Sequence, residues 1–229
     1  MIASNYDQLF ILTSVLTPDI KWQMLDAYLA SIEGDDFKVY MIFTKSDLIP
    51  QLSEQQKVEL EDRLPYYRKL GVDVRQVSLV DEVLDHQGIE LLSELENKVS
   101  VFVGLSGVGK SSFINCCEPE LIQEVGDVSE VYGGGRHTTT GVRLLFSKNH
   151  GVLIDTPGVR SWRLDYMQPR ELAESFTDIL SFADQCKFRD CLHIKEIGCA
   201  VKSNVGTDKL PEWRYLSYLK HYESITLNN

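Results

Sequence analysis

The 229-residue chain predicts an α/β fold, with a mostly parallel six-stranded sheet, helices on both faces and a small helical C-terminal domain. Three observations carry that expectation. Apolar runs of strand length alternate with helical stretches through the first part of the sequence, the pattern of parallel α/β architecture. The fourth run leads into Gly104-Leu105-Ser106-Gly107-Val108-Gly109-Lys110-Ser111-Ser112, a glycine-rich strand-to-helix turn. Beyond Arg160 the alternation stops and Cys and His become dense.

Taken in order, Gln8 to Val15 is the first apolar run. In Asp19 to Ile32, Ile20, Met24, Ala27, Tyr28 and Ile32 recur at helical spacing. Pro18 suits the turn before that helix or its first positions. Val39 to Phe43 is a second strand, ending in Thr44-Lys45-Ser46-Asp47. Ser53 to Lys69 is helical and highly charged, and Ser53 with Gln56 forms a capping-box signature. Val72 to Val77 is a strand, Gly88 to Leu95 a short helix and Val99 to Val103 the strand before the glycine-rich turn. The helix after the turn starts at Ser111, and strands at Val142 to Phe146 and Val152 to Ile154 complete the sheet. Pro169 to Ala183 and Lys209 to Tyr222 read as C-terminal helices. The expected domains are residues 1–165 and 166–229.

The apolar fraction of 43% and charged fraction of 25% suit a globular chain that buries a core. A net charge of −11 argues against a large non-specific nucleic-acid surface, though not against a local basic patch. Met1-Ile2-Ala3-Ser4-Asn5 lacks a signal peptide's charged start and apolar core, and no apolar run approaches a membrane span. Five cysteines without an export signal point to thiols or metal ligands, so a cytoplasmic protein is expected.

The GxxxxGK[ST] pattern between strand and helix is a phosphate cradle for a nucleoside triphosphate. Residues Gly104, Leu105, Ser106, Gly107, Val108 and Gly109 would turn backbone N–H groups toward phosphate oxygens, aided by the helix N-terminus and Ser112. Lys110 would reach the β- and γ-phosphates, and Ser111 would ligate magnesium. Asp155-Thr156-Pro157-Gly158 follows a short apolar strand, as a DxxG motif should. Asp155 would hold the magnesium shell and the Gly158 N–H would sense the γ-phosphate.

Thr44-Lys45-Ser46-Asp47 supplies the base test. The Asp47 carboxylate can accept from guanine N1–H and its exocyclic amine, whereas adenine leaves it poorly paired. Lys45 would lie along the base plane, and Ser78-Leu79 can offer a backbone N–H to the guanine carbonyl. Common GTPases have Asn where this chain has Thr44, so looser loop bracing is expected. Thr44, Ser78, Gly104 and Asp155 all sit at or just after strand ends, where open α/β sheets bind ligands. The base motif precedes the phosphate loop, the reverse of the ordinary GTPase order. The fold class is therefore a circularly permuted P-loop GTPase, tolerable because domain termini often lie close together.

These residues resemble a specific family. The permuted order, Asn5-Tyr6-Asp7-Gln8, Gly104 to Ser111, Gly135-Arg136-His137-Thr138-Thr139-Thr140, Asp155 to Gly158 and Cys186-x4-Cys191-x-His193-x5-Cys199 together are similar to the RsgA (YjeQ) family of small-subunit-dependent ribosomal GTPases. The resemblance implies GTP hydrolysis during late maturation of the small ribosomal subunit, with that subunit and its rRNA as partners; separately, no membrane partner and a monomer are expected. The family carries an N-terminal OB-fold. This sequence opens at the first GTPase strand, either by truncation or because the natural protein lacks that nucleic-acid-binding module.

Gly126 to Thr140 is polar, with three successive glycines, and reads as a switch loop. Thr138 or Thr139 would ligate magnesium when the loop closes. Ras-like GTPases place a water-orienting glutamine just after DxxG, but here that position is Val159. The resemblance assigns a catalytic role to His137. Arg136 and Arg160 could stabilise charge, although a solvated surface suits each better.

Cys186, Cys191, His193 and Cys199 offer three thiolates and one imidazole, enough to fill a structural Zn2+ shell with no open position. Cys116 and Cys117 fit the core better than a metal site. Lys187, Arg189, Lys195 and Lys202 form either an RNA-contact patch or a solvated face. The leading reading is thus a GTP/GDP- and Mg2+-dependent hydrolase with one structural Zn2+. The alternatives are a nucleotide-controlled switch whose output is ribosome docking, and a permuted GTPase not tied to ribosomes.

Overall fold

The computed structural model describes residues 6–32, 38–80, 83–117, 142–147, 149–156 and 164–227. The chain divides into two compact units, Met1–Ile20 with Asp35–Arg160, and Lys21–Gly34 with Ser161–Asn229.

The first unit is built on a six-stranded sheet. Its strands are β1 (Gln8–Ser14), β2 (Lys38–Thr44), β3 (Asp73–Val77), β6 (Val99–Gly104), β7 (Arg143–Ser147) and β8 (Gly151–Asp155), in the order β3-β2-β1-β6-β8-β7. All pairings are parallel except β7 with β8. The six runs read from the sequence are these six strands. Every residue of the central strand β1 is buried, which explains why it reads as a continuous apolar run rather than an alternating one. Phe10 pairs in register with Tyr40 and Phe102, so the three rings stack across β2, β1 and β6 at 4.5 and 4.8 Å. Phe113 packs beside Phe102 from α4 (Lys110–Cys117). Cys117 joins this core and Cys116 packs against it.

Helix α2 (Glu54–Lys69) has the expected capping box, with Ser53 and Gln56 each satisfying the other's N–H. Two features were not expected. A small antiparallel pair, β4 (Leu79–Val80) and β5 (Val83–Leu84), follows β3. Helix α3 (His86–Glu94) starts before Gly88, because Asp85 caps it by accepting the Gly88 N–H.

The second unit contains α1 (Trp22–Ala30), α5 (Pro169–Ser175), α6 (Thr177–Leu180), α7 (Ala200–Asn204) and α8 (Glu212–Leu227). Helix α1 lies between β1 and β2 in sequence, yet Ala27 and Ala30 join a cluster with Leu172, Phe176, Ile179 and Tyr218. The division expected at 165/166 places α1 with the sheet, whereas Lys21–Gly34 groups with the second unit. The helix expected over 169–183 breaks at Phe176, whose φ of −90° and ψ of 87° leave the helical region. The break lets Phe176 bury fully and places the Arg214 guanidinium 4.3 Å over its ring. Arg214 in turn pairs with Asp178 of α6 (2.8 Å) and Asp26 of α1 (2.6 Å), all three being buried.

Candidate functional site

The strand registers bring the motif positions to one edge of the sheet. Ser14 pairs with Thr44, Thr44 with Val77, Leu12 with Gly104 and Phe102 with Asp155. Thr44, Ser78, Gly104 and Asp155, far apart in sequence, therefore all end at the carboxyl edge.

Residues Leu105 to Gly109 connect β6 to α4. Gly107 and Gly109 have φ of 84° and 92°, a region that costs other L-residues energy and that wraps the loop tightly. Val108 between them is fully buried and anchors the loop in the sheet core. Lys110, the first residue of α4, is buried and forms an ion pair with Asp155. Thr156 holds the chain after Asp155 by donating its hydroxyl to Phe102 O at 2.7 Å. Ser106, Ser111 and Ser112 are exposed.

The base loop is stitched to the phosphate loop. The Thr44 hydroxyl lies within reach of Thr13 O (3.1 Å) and of Val108 O in the phosphate loop. The expected loosening at Thr44 is thus not what the geometry shows, because the short hydroxyl sits close enough to brace both strands' ends. Lys45, at a left-handed φ of 57°, donates to Gly107 O at 3.0 Å and to Thr17 O. Asp47 is exposed and accepts the Ser78 hydroxyl at 2.9 Å. The Ser78 N–H, read as a donor to the base, is committed instead to Asp85 Oδ2 at 2.7 Å. Asp85 was missed, although an Asp just before a helix is an N-cap signal. His137, Thr138, Thr139 and Gly158, with the switch loop Gly126 to Thr140, Arg136, Val159 and Arg160, lie outside the described residues.

In the second unit, the ligand atoms of Cys186, Cys191, His193 and Cys199 all lie within 4.8 Å of one another. His193 Nδ1 is 3.6 Å from Cys186 Sγ and 3.5 Å from Cys199 Sγ, and the two sulfurs are 3.9 Å apart. Ordinary zinc bond lengths in a tetrahedron place sulfur about 3.8 Å from sulfur and about 3.5 Å from nitrogen, so the cluster fits such an ion. Burial lowers the His193 pKa and favours the neutral, ligating imidazole. Burial, above all, pushes the Cys191 thiol up to about 12 despite a backbone hydrogen bond from His193. A cation held among these sulfurs would reverse that preference.

Side chains outside the Cys/His pattern, without a motif signature of their own, shape the cluster's loop. The Glu196 carboxylate accepts N–H groups of Leu192, Ile194 and Lys195 at 2.8 to 2.9 Å. Burial opposes ionisation of Glu196, but these bonds outweigh it and hold its carboxyl below the usual range. From α8, Tyr215 and Tyr218 donate to the carbonyls of His193 (2.6 Å) and Leu192 (2.7 Å).

A mostly parallel sheet whose base loop precedes its phosphate loop in sequence, with both at the carboxyl edge, defines a circularly permuted P-loop GTPase. The family model described as RsgA GTPase matches residues 1–165. The chain is 37% identical over 223 residues to the small ribosomal subunit biogenesis GTPase RsgA of Geobacillus sp. (strain WCH70), covering 97% of this chain and 73% of that one. It is 41% identical over 219 residues to the protein of the same name in Shewanella oneidensis, covering 95% of this chain and 60% of that one. Among solved structures, YloQ, described as a circularly permuted GTPase, superposes with a TM-score of 0.74 at 29% identity, covering 98% of this chain and 70% of that one. YjeQ from Thermotoga maritima gives 0.73 at 28% identity, covering 97% and 72%. The chain belongs to the RsgA GTPase family.

Proposed function

We propose that this chain binds GTP and hydrolyses it to GDP and phosphate while acting on the maturing small ribosomal subunit. The observation that carries the nucleotide reading is the convergence of Lys110 and Asp155 with a base loop joined to the phosphate loop through Thr44 and Lys45. The buried pair neutralises itself in the structure, so a phosphate for Lys110 and a cation for Asp155 can replace each partner without stranding a charge. Residues 104–109 and Ser112 would line the phosphates, Ser111 and Asp155 would hold Mg2+ with Thr138 or Thr139, and the Gly158 N–H would meet the γ-phosphate. Magnesium would neutralise the charge that develops on the phosphoryl oxygens. Asp47 would accept from guanine, and Leu79 remains the candidate backbone donor to the guanine carbonyl. Val159 cannot orient water, so His137 is the candidate for that role.

The Cys3His cluster would hold one structural Zn2+, and its four protein ligands leave no position for a substrate. The ribosomal role rests on the relatives' names. Lys187, Arg189, Lys195 and Lys202, near the cluster in sequence, would supply a local basic surface for rRNA on an otherwise acidic chain. No helix among the described residues is long and apolar enough to cross a membrane, and the proposed setting is a cytoplasmic monomer. Co-sedimentation with purified small subunits tests the assignment. Binding in the presence of a non-hydrolysable GTP analogue, weakened by GDP and by salt, is the expected result. Equal recovery with and without nucleotide would overturn it.

A further inference from the structure

Asp47 does not reach the base edge unsupported. Ser78 Oγ donates to Asp47 Oδ1 over 2.9 Å. Ser78 is itself held by one residue, Asp85, which takes its N–H on Oδ2 (2.7 Å) and donates its own N–H to Ser78 O (3.0 Å). The second oxygen, Asp85 Oδ1, accepts the Gly88 N–H at 2.8 Å. One carboxylate thus caps α3 and fixes the residue that fixes Asp47.

The anchor behind Asp85 is rigid. A Cβ at Gly88 would come within 2.9 Å of Leu84 Cδ2 and 3.0 Å of Val77 Cγ1, so the first turn of α3 sits directly on β3 and β5. Gln87 of the same turn accepts the Gln76 N–H at 3.2 Å. By contrast, Asp47 is exposed on a short 3-10 turn, Ser46–Gln51, where a free carboxylate would sample several rotamers. An ionised carboxylate has about four acceptor positions, so Asp47 keeps room for two base donors after accepting Ser78.

We propose that Asp85 is a positioning residue for guanine recognition: acting through Ser78, it sets the Asp47 carboxylate in the plane that accepts two donors from the base. The inference rests on the reading of Asp47 as the guanine acceptor. Both Asp85 oxygens are taken by backbone N–H groups, so its effect appears in discrimination between bases rather than in turnover of bound nucleotide.

The test compares GDP with IDP, whose base lacks the exocyclic amine, by competition against a fluorescent GDP on the full chain. Asp85→Ser keeps one oxygen for the Gly88 N–H and so preserves the cap, but lacks the second for Ser78. It lowers the GDP-to-IDP affinity ratio on the order of five- to ten-fold, the scale of a lost oriented hydrogen bond, with little change in melting temperature. Ser78→Ala lowers the ratio similarly, and adding Asp85→Ser to it lowers the ratio no further, because the two act in series. Equal losses for GDP and IDP in Asp85→Ser, or additive losses in the double variant, would overturn the inference. A separate arm tests the underlying reading: Asp47→Asn shifts preference from GDP to XDP. If it does not, the assignment of Asp47 fails, whatever the Asp85 variants show.

Discussion

The nucleotide edge and the Cys3His cluster are both gathered from separated residues, but different forces gather them. At the sheet edge, backbone hydrogen bonds fix strand ends in register, and an aromatic stack through Phe10, Tyr40 and Phe102 secures the strands behind. The loops that carry Lys110, Asp155 and Asp47 need only short stitches, such as Thr44 to Val108 O. In the second unit the ligands lie between short elements, and polar side chains do the gathering. Glu196 collects three backbone N–H groups, Tyr215 and Tyr218 collect two carbonyls, and Arg214 joins α1, α6 and α8. A site on a sheet inherits its geometry from the core. A site in a small unit requires its own network, and the proposed zinc would add stability to that unit's small core.

That contrast can be broken experimentally. The largest effect is expected from metal removal. Chelation, or Cys199→Ala, is expected to remove the proposed zinc and unfold the C-terminal unit, since structural zinc contributes roughly 10 kcal/mol or more in small domains. Metal analysis and circular dichroism read the loss. No ligand of this cluster belongs to the unit that carries Lys110. Guanine-nucleotide affinity therefore falls far less than helicity, and a parallel collapse of both would break the comparison.

Next is Lys110→Ala, which removes the cation proposed for the phosphates and leaves Asp155 buried without its partner. GTP turnover falls by about 10²- to 10³-fold, while zinc content is unchanged. Arg214→Ala strands Asp26 and Asp178 in the second unit's core and costs about 3–5 kcal/mol in urea unfolding. The smallest effect belongs to Glu196. Its folded pKa lies below the ordinary 4.5, so its contribution is complete above 4.5 and is lost as pH falls through the folded value. Acid unfolding of the wild type loses this contribution over that range, whereas Glu196→Gln has no such limb.

The same contrast explains what was legible. Buried parallel strands such as β1 and β6 announce themselves as apolar runs, and β7, antiparallel and largely exposed, still reads as one through Leu144, Leu145 and Phe146; the capping box at Ser53 and Gln56 was equally readable. The β4–β5 pair is only two residues per strand, too short for any period to show. The break at Phe176 has no Gly or Pro to mark it, and it answers to Arg214, a residue far along the chain. The membership of α1 in the second unit is likewise a tertiary fact. Motif spacing pointed to Lys110 and Asp155, which form an ion pair, and to the four Cys and His side chains that cluster. It could not show that Thr44 reaches the phosphate loop or that the Ser78 N–H is already taken, because both depend on backbone groups with no side-chain signature.

The most direct measurement is nucleotide turnover by this chain, GTP against ATP, with and without purified small ribosomal subunits. Slow hydrolysis of GTP alone, no comparable use of ATP, and acceleration on adding subunits are the expected results. Equal turnover of ATP would contradict the assignment of the base loop, and GTP turnover indifferent to subunits would contradict the proposed ribosomal role.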